Sequence, residues 1–419
     1  MISINEAITI IKENIPAPRV EELPLPQAVG RYLADDIYAP EPSPRYTNSA
    51  MDGYAVRWID VCGLTPERPA RLTLIGESRA GEPFAGVVSQ GLSSAPAEVG
   101  QGETVRISTG AMLPAGADTV IRMEDTQEEA HGVMINAAKR QGQDVRYLGE
   151  EFAEGALLLR RGTRIAAPQA ALLASVGSDP VKVFAPCTIA LLVTGSELVA
   201  TGKGIADHQI RDSNTVMLLA AIQEAGATLV SCLRVADEPQ ATAIAIGQAQ
   251  ADIVLCTGGV SVGRHDHVKE AAEANGFAPL FWRVRQKPGK PLYFARKGDS
   301  LFFGLPGNPV SAFMCFAHYV RPLIGTLAGL PFGWPTVLAQ AVSDIANKGN
   351  RPNMIRVRRA NAPSFGSYGI TSTEKQGSHM LTSLADADGY IILEPGQTVL
   401  AADRITMYQY DFRREPIII

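Results

Sequence analysis

Three carboxylates follow three short apolar runs. Glu197 closes TGSE (194–197) after TIALLVT, Asp237 lies in ADEP after ATLVSCLRV, and Asp266 ends CTGGVSVGRHD (256–266) after DIVL. Nearby in sequence, Lys287 and Lys290 flank the Pro-Gly pair of KPGKP (287–291), and GLPGNPVSA (304–312) sets Asn308 and Pro309 where a helix would start. Each feature has a plain reading of its own. A carboxylate in a first helical turn offsets the helix dipole, Asn-Pro makes a good helix start, and KPGKP makes a solvated hairpin tip. Together they raise an electrostatic question. Lysines, helix N-termini and glycine N–H groups attract anions, whereas carboxylates repel them. A divalent cation between the two sets removes the conflict, and Mg²⁺ is the expected ion where carboxylates face phosphate oxygens. The glycine-rich turn lacks the GKS or GKT of a P-loop and does not fit GxGxxG. The residues therefore read as a site for a phosphate or pyrophosphate with Mg²⁺, and they do not say what group is transferred.

The elements that must hold these residues are legible in outline. TIALLVT, ATLVSCLRV and DIVLCT read as buried strands, each followed by a segment of helical periodicity. The first of those helices, SNTVMLLAAIQEAG, takes Ser213 or Asn214 as its cap and Gly226 as its stop. Strand–helix alternation over 186–330 argues for an α/β domain with a largely parallel sheet, whose ligands gather at the carboxyl ends of the strands. Short β-like runs interrupted by glycine turns occupy 52–125, and a second set (VLAQAVS, MIRVRRA, YIILEPG, RITMYQY) occupies 336–419. Between them, 140–180 ends in an alanine-rich helix, and 16–50 is proline-rich and extended.

A chain of 419 residues suits two to four domains, and a net charge of −5 gives no attraction for nucleic acid or anionic membrane. The five cysteines are scattered without a CxxC pair, which fits reduced thiols in a cytoplasmic protein. MISINEAITIIKENI has Ser3 and Glu6 at capping-box spacing and reads as a helix, not a signal peptide. Val310–Leu330 contains His318, Arg321 and Pro322 and reads as a buried helix, not a membrane span.

Seven motifs carry a resemblance: TNSAMDGYAVR (47–57), RISTGAMLPAGADTVI (106–121), TGSEL (194–198), TGGVSVGRHD (257–266), KPGKP (287–291), GLPGNPVSA (304–312) and QGSHMLTSLADADGY (376–390). The chain resembles the MoeA family of molybdopterin molybdotransferases, which includes the E domain of gephyrin. The resemblance implies a homodimer of four-domain subunits. Residues 1–45 and 140–185 would form an elongated linker or dimerisation domain, 46–139 a β-rich domain, 186–330 the doubly wound α/β molybdopterin-binding domain with a mostly parallel sheet, and 331–419 a β-barrel-like domain. It implies insertion of molybdate into adenylylated molybdopterin with Mg²⁺-dependent release of AMP. A molybdopterin adenylyltransferase and molybdoenzyme maturation proteins are the implied partners.

By the same resemblance, Glu197, Asp237 and Asp266 handle Mg²⁺ and the adenylate, and Asp52 joins them in catalysis. Lys287, Lys290, Arg356 and Ser378 would hold molybdate, a task that suits several cationic donors and a hydroxyl. Gly258, Gly259, Ser261, Pro306, Asn308 and Pro309 line the substrate, and Thr109 reaches it with Asp52 from the partner subunit. Arg283, Arg264 and Glu151 depart from the family pattern without removing a matched core residue. Two other readings compete. One is a molybdopterin adenylyltransferase, which lacks the SAMDGYAV and QGSH modules; the other is a non-catalytic molybdopterin-binding scaffold.

Overall fold

A computed structural model describes residues 1–82, 84, 98–130, 132–260, 267–361 and 368–410. The chain divides into two compact units, one of residues 1–34, 162–166 and 180–419 and one of 35–161 and 167–179.

In the first unit the apolar runs pair into a six-stranded sheet. Its strands are β1 (Thr188–Thr194), β2 (Thr228–Val235), β3 (Ile253–Thr257), β4 (Ala278–Trp282), β5 (Tyr293–Lys297) and β6 (Ser300–Leu305), in the order β2-β1-β3-β6-β5-β4. The first four in that order are parallel, β5 runs antiparallel to β6, and β4 at the edge runs antiparallel to β5. β1 is buried on both faces, as a continuous apolar strand must be when helices cover both sides. Ile189, Leu191 and Val193 pack with helices Ser213–Glu224 and Pro309–Cys315, while Ala190 and Leu192 pack with Pro239–Gln248 and Val268–Ala274. The doubly wound α/β fold is thus present.

Several local expectations change. ATLVSCLRV becomes β2, but β2 is exposed along most of its length because it lies at the edge of the sheet, paired among the described residues with β1 alone. The helix Ser213–Glu224 is capped by Asp212, whose carboxylate accepts from the Thr215 N–H at 3.0 Å, and not by Ser213 or Asn214. The N-terminal helix Ile4–Glu13 does carry the Ser3/Glu6 capping box, and it buries Ile4, Ala7 and Ile11 against the α/β core. Pro309–Leu327 is long and apolar enough to cross a membrane, yet 78% of it is buried inside this unit.

Strands Thr336–Ala341, Asn353–Ala360, Tyr368–Ser372, Gly389–Leu393 and Arg404–Gln409 close a small barrel around Ile355, Val357, Ile370 and Ile391. The second unit holds a six-stranded mixed sheet containing Gly53–Val56 and Glu103–Ile107. Alternation is strict there: Tyr54 and Val56 enter one core, Ala55 the other.

Candidate active site

The carboxyl ends of the four parallel strands are laced together by side chains. Thr194 at the end of β1 donates through its hydroxyl to the Thr257 carbonyl, and the Thr257 hydroxyl donates to the Pro306 carbonyl, each at 3.3 Å. Gly258 has φ +92°, and a Cβ there would lie 2.5 Å from Thr194 Oγ1, so only glycine lets the turn press against β1. Gly259 follows, also at positive φ, and Gly307 packs against Gly258. Asn214 completes the lacing. Its amide donates to Thr257 Oγ1 at 3.1 Å and to the Gly307 carbonyl at 2.7 Å, which leaves Oδ1 buried without a partner.

Glu197 and Asp237 sit on this edge as expected. Asp237 accepts the Ser196 N–H at 3.2 Å, which joins the ADEP and TGSE turns. Glu197 is exposed and Asp237 half-buried. Burial, with the Asp237 carboxylate adding to it, pushes the Cys256 thiol at the end of β3 up to about 12. Asp266 and Ser261, with Arg264, lie outside the described residues. Among the described residues no three carboxylate, histidine or cysteine side chains converge as a metal cluster.

The cationic side is built from the opposite direction. Arg356, in the barrel strand Asn353–Ala360, has 0% of its surface exposed. Its Nε donates to Ser383 Oγ at 3.0 Å, and one terminal nitrogen to the carbonyls of Lys375 and Gly377 at 3.2 and 3.3 Å. The other, Nη1, is buried, and among the described residues it has no partner and no carboxylate pairs with the group. Burial lowers its pKa, as expected for a charge taken out of water. Gln376 clamps the QGSH loop here by exchanging two 3.0 Å bonds with the Arg356 backbone.

Ser378, two residues on, accepts from the Asn308 amide at 3.2 Å, and its carbonyl accepts the Val310 N–H. Asn308 therefore occupies the helix-cap position with Pro309 at the first turn, but its side chain makes no cap bond. The expected free N–H at Val310 is taken by the QGSH loop.

Lys287 is stitched to the same barrel strand: it donates to the Pro352 carbonyl and accepts from Met354 N–H through its backbone. The KPGKP turn is set by Gln286, which is fully buried, donates to the Gly289 carbonyl and accepts from the Tyr319 hydroxyl. A Cβ on Gly289 would lie 2.4 Å from Cys315 Sγ, so the turn closes over that thiol. The ammonium-bearing side chains of Lys287 and Lys290 stay exposed. A cavity of about 400 Å³ lined by Arg31, Glu224, Arg321 and Leu330 shares none of these residues.

In the second unit, Asp52 Oδ1 accepts from both the N–H and the hydroxyl of Thr109, at 2.6 and 2.9 Å. The N–H first, and the hydroxyl second, hold its carboxyl below the usual range. Glu151 bonds Ser43 at 2.7 Å, a surface turn contact. The resemblance singled out Asp52 and Thr109 but not the bonds between them, and it did not point to the bridging role of Asn214, because SNT reads equally well as a cap.

Three family models match: "MoeA N-terminal region (domain I and II)" over residues 2–177, "Probable molybdopterin binding domain" over 190–326, and "MoeA C-terminal region (domain IV)" over 339–409. The molybdopterin molybdenumtransferase of Haemophilus influenzae is 32% identical over 98% of this chain and 99% of its own length. That of Bacillus subtilis is 33% identical over 95% of this chain and 91% of its own. A solved molybdopterin biosynthesis MoeA protein from Pyrococcus horikoshii is 28% identical, covers 98% of this chain and 99% of that one, and has a TM-score of 0.82.

Proposed function

This chain belongs to the MoeA family, and from that premise we propose that it inserts molybdate into adenylylated molybdopterin, releasing AMP and giving molybdenum cofactor. It is a transferase of molybdenum cofactor biosynthesis. Its relatives named molybdopterin molybdenumtransferase align end to end with it, so the N- and C-terminal modules that an adenylyltransferase lacks are present.

The observation that carries the reading is Arg356. A wholly buried guanidinium with no carboxylate and one unpaired nitrogen is costly to keep and is stabilised most by an incoming anion. Ser378 and Asn308 adjoin it through the Gly377 carbonyl and the Ser378 hydroxyl, which suits a tetrahedral oxyanion such as molybdate. Lys287 and Lys290, on the turn tied to the same strand, add mobile positive charge.

Glu197 and Asp237 offer hard oxygen donors on the glycine-turn edge, a donor set that fits Mg²⁺. They would hold the ion with Asp266, and the bound ion would neutralise charge on the pyrophosphate link. The turn Gly258–Val260 and the Pro306–Asn308 loop bind and orient that link. Molybdate, held on the Arg356 side, is delivered to the dithiolene sulfurs.

We take the working form to be a homodimer in which Asp52 and Thr109 serve the partner's site, and the compartment to be the cytoplasm, consistent with five free cysteines. A molybdopterin adenylyltransferase would supply the substrate, and molybdoenzyme maturation proteins would take the product.

Purified protein incubated with adenylylated molybdopterin, Mg²⁺ and molybdate should release AMP and form a product that activates a cofactor-free molybdoenzyme. Absence of both outputs would sink the reading. For the dimer, Asp52→Ala and Arg356→Met, each nearly inactive alone at molybdate that just saturates the parent, should recover up to about half of normal activity per heterodimer on symmetry grounds. No recovery in verified heterodimers would place both residues in one chain's site.

A further inference from the structure

Lys287 and Lys290 are exposed, but the turn that carries them rests on one buried amide. Gln286, directly before Lys287, is 0% exposed. Its Nε2 donates to the Gly289 carbonyl at 3.1 Å, and its Oε1 accepts from the Tyr319 hydroxyl. A carbonyl can only accept, so the amide nitrogen must face Gly289, which leaves the amide oxygen for Tyr319. Tyr319 is itself wholly buried, on the helical segment Phe316–Val320, and packs in the α/β core. The amide thus fastens the middle of the turn to that core.

Backbone bonds fix both ends of the turn and leave its middle to Gln286. Val284 N–H donates to the Lys290 carbonyl at 3.0 Å, while Lys287 donates to Pro352 at 2.9 Å and accepts from Met354 at 2.8 Å. The Gln286 carbonyl accepts from Arg351 Nη1 at 3.1 Å, so this one residue joins helix, turn and barrel. Between these anchors lie Pro288 and Gly289, both buried. Gly289 has φ +85°, and a Cβ there would stand 2.9 Å from Gln286 Nε2. Among the described residues its carbonyl has one further donor, the Cys315 thiol at 3.7 Å, and sulfur is a weak one. The Tyr319 bond alone would not call for a glutamine, since Met against Phe fills similar space without a buried polar pair. The Gly289 carbonyl is different, because it is backbone, cannot be substituted away, and needs a donor where water does not reach.

We propose that Gln286 is a positioning residue for the oxyanion: by holding the Gly289 carbonyl it sets Lys287 and Lys290 relative to one another, and Tyr319 orients its amide. The inference rests on the functional reading above, in which those two lysines hold molybdate. Gln286 acts through them and makes no bond to Glu197 or Asp237, so the acidic edge should not respond to it.

Gln286→Met keeps the shape of the side chain and removes both of its bonds. The molybdate concentration for half-maximal AMP release should rise about tenfold, because two charged contacts lose their common setting. The rate at saturating molybdate should stay within about twofold of the parent's, and the Mg²⁺ requirement should not move. The variant Lys287→Met/Lys290→Met supplies the background that tells positioning from propping. There, adding Gln286→Met should change the molybdate requirement by less than about twofold, since no lysines remain for it to act through. Should Gln286→Met fold poorly with the Tyr319 hydroxyl left unpaired, Gln286→Met/Tyr319→Phe removes both polar partners. Its urea melt should return toward the parent's while its molybdate requirement stays about tenfold high. A parent-like molybdate requirement in Gln286→Met would overturn the proposal. So would a requirement restored together with the melt in Gln286→Met/Tyr319→Phe, or a full additional loss in the background without the two lysines. A parent-like molybdate requirement in Lys287→Met/Lys290→Met itself, measured first, would instead sink the functional reading of the lysines, and the proposal with it.

Discussion

On the cationic side of the strand-end site, Arg356 is wholly buried, four of its bonds go to fixed acceptors or to the Gln376 clamp, and a nitrogen waits unpaired. On the acidic side, Glu197 is exposed, Asp237 is half-buried, and a single Ser196 N–H joins their turns. The reason is the chemistry of the groups. A guanidinium cannot shed its proton, so carbonyl dipoles can hold it charged in the interior ahead of its ligand. Carboxylates packed together without a cation would repel each other and take up protons. On the proposed reading, the half that takes the oxyanion can therefore be built in advance, whereas the half that takes Mg²⁺ is best left open until cation and phosphate arrive together.

That contrast is most directly broken at Arg356. Arg356→Met should raise the half-saturating molybdate concentration about 100-fold, the upper range for a charge-assisted contact. Unfolding free energy should change by no more than about 2 kcal/mol, because removing an unpaired buried charge offsets the lost bonds to Ser383 and the QGSH loop. Molybdate titration of AMP release and a urea melt measure both. A collapsed melt with normal molybdate response per folded molecule would make Arg356 a structural prop. On the open side, Asp237→Asn should raise the Mg²⁺ requirement about tenfold and leave the molybdate requirement alone. The amide oxygen can keep the Ser196 contact, so the melt should match the parent's. A shift in molybdate demand would show that the two halves are not separable.

How much of this could be read from the chain depends on the distance a contact spans. Apart from β4 to β6 and Tyr368–Ser372, which none of the named runs covers, the sheet strands, the N-terminal capping box and the barrel strands follow from apolar runs and spacings of a few residues, and they appear where the sequence puts them. The identity of the helix cap did not, because Asp212, Ser213 and Asn214 are all good caps and the backbone at Asp212 decides among them. Asn214 then becomes free to reach Gly307, 93 positions away, and no local pattern announces that. The burial of Arg356 is similarly remote: it lies on the strand face opposite the barrel-core residues Ile355 and Val357, and it looks like Arg358 until Ser383 and the carbonyls of Lys375 and Gly377 close over it. Gln286, Tyr319 and Cys315 meet beneath the KPGKP turn for the same reason.

A smaller effect on the built side is expected from Ser378→Ala. Its hydroxyl accepts from Asn308 and is one neutral donor among charged ones. Molybdate demand should rise about fivefold, in line with a single neutral hydrogen bond. A response equal to that of Arg356→Met would mean that the loop, and not the guanidinium, sets oxyanion affinity.

The smallest effect on activity, none, is expected at His318, and it tests the rule behind the comparison. His318 is a second buried base in the same unit, 1% exposed, with Nδ1 2.7 Å from the Tyr390 hydroxyl and its ring stacked on Trp334. Unlike arginine, it can solve its burial by losing a proton, and burial lowers its pKa to about 3 from the ordinary 6.5. The folded pKa is thus below the unfolded one. Below pH 6.5 the unfolded chain binds a proton that the folded chain refuses, so stability present above that pH is lost as pH falls toward 3. Each pH unit in that window costs about 1.4 kcal/mol, or about 2 kcal/mol by pH 5. His318→Gln, which can still bond Tyr390 and does not titrate, should flatten the urea-melt stability between pH 7 and 5 by that amount. An unchanged slope would mean that His318 is not refused its proton, and that burial alone does not decide which bases in this core stay charged.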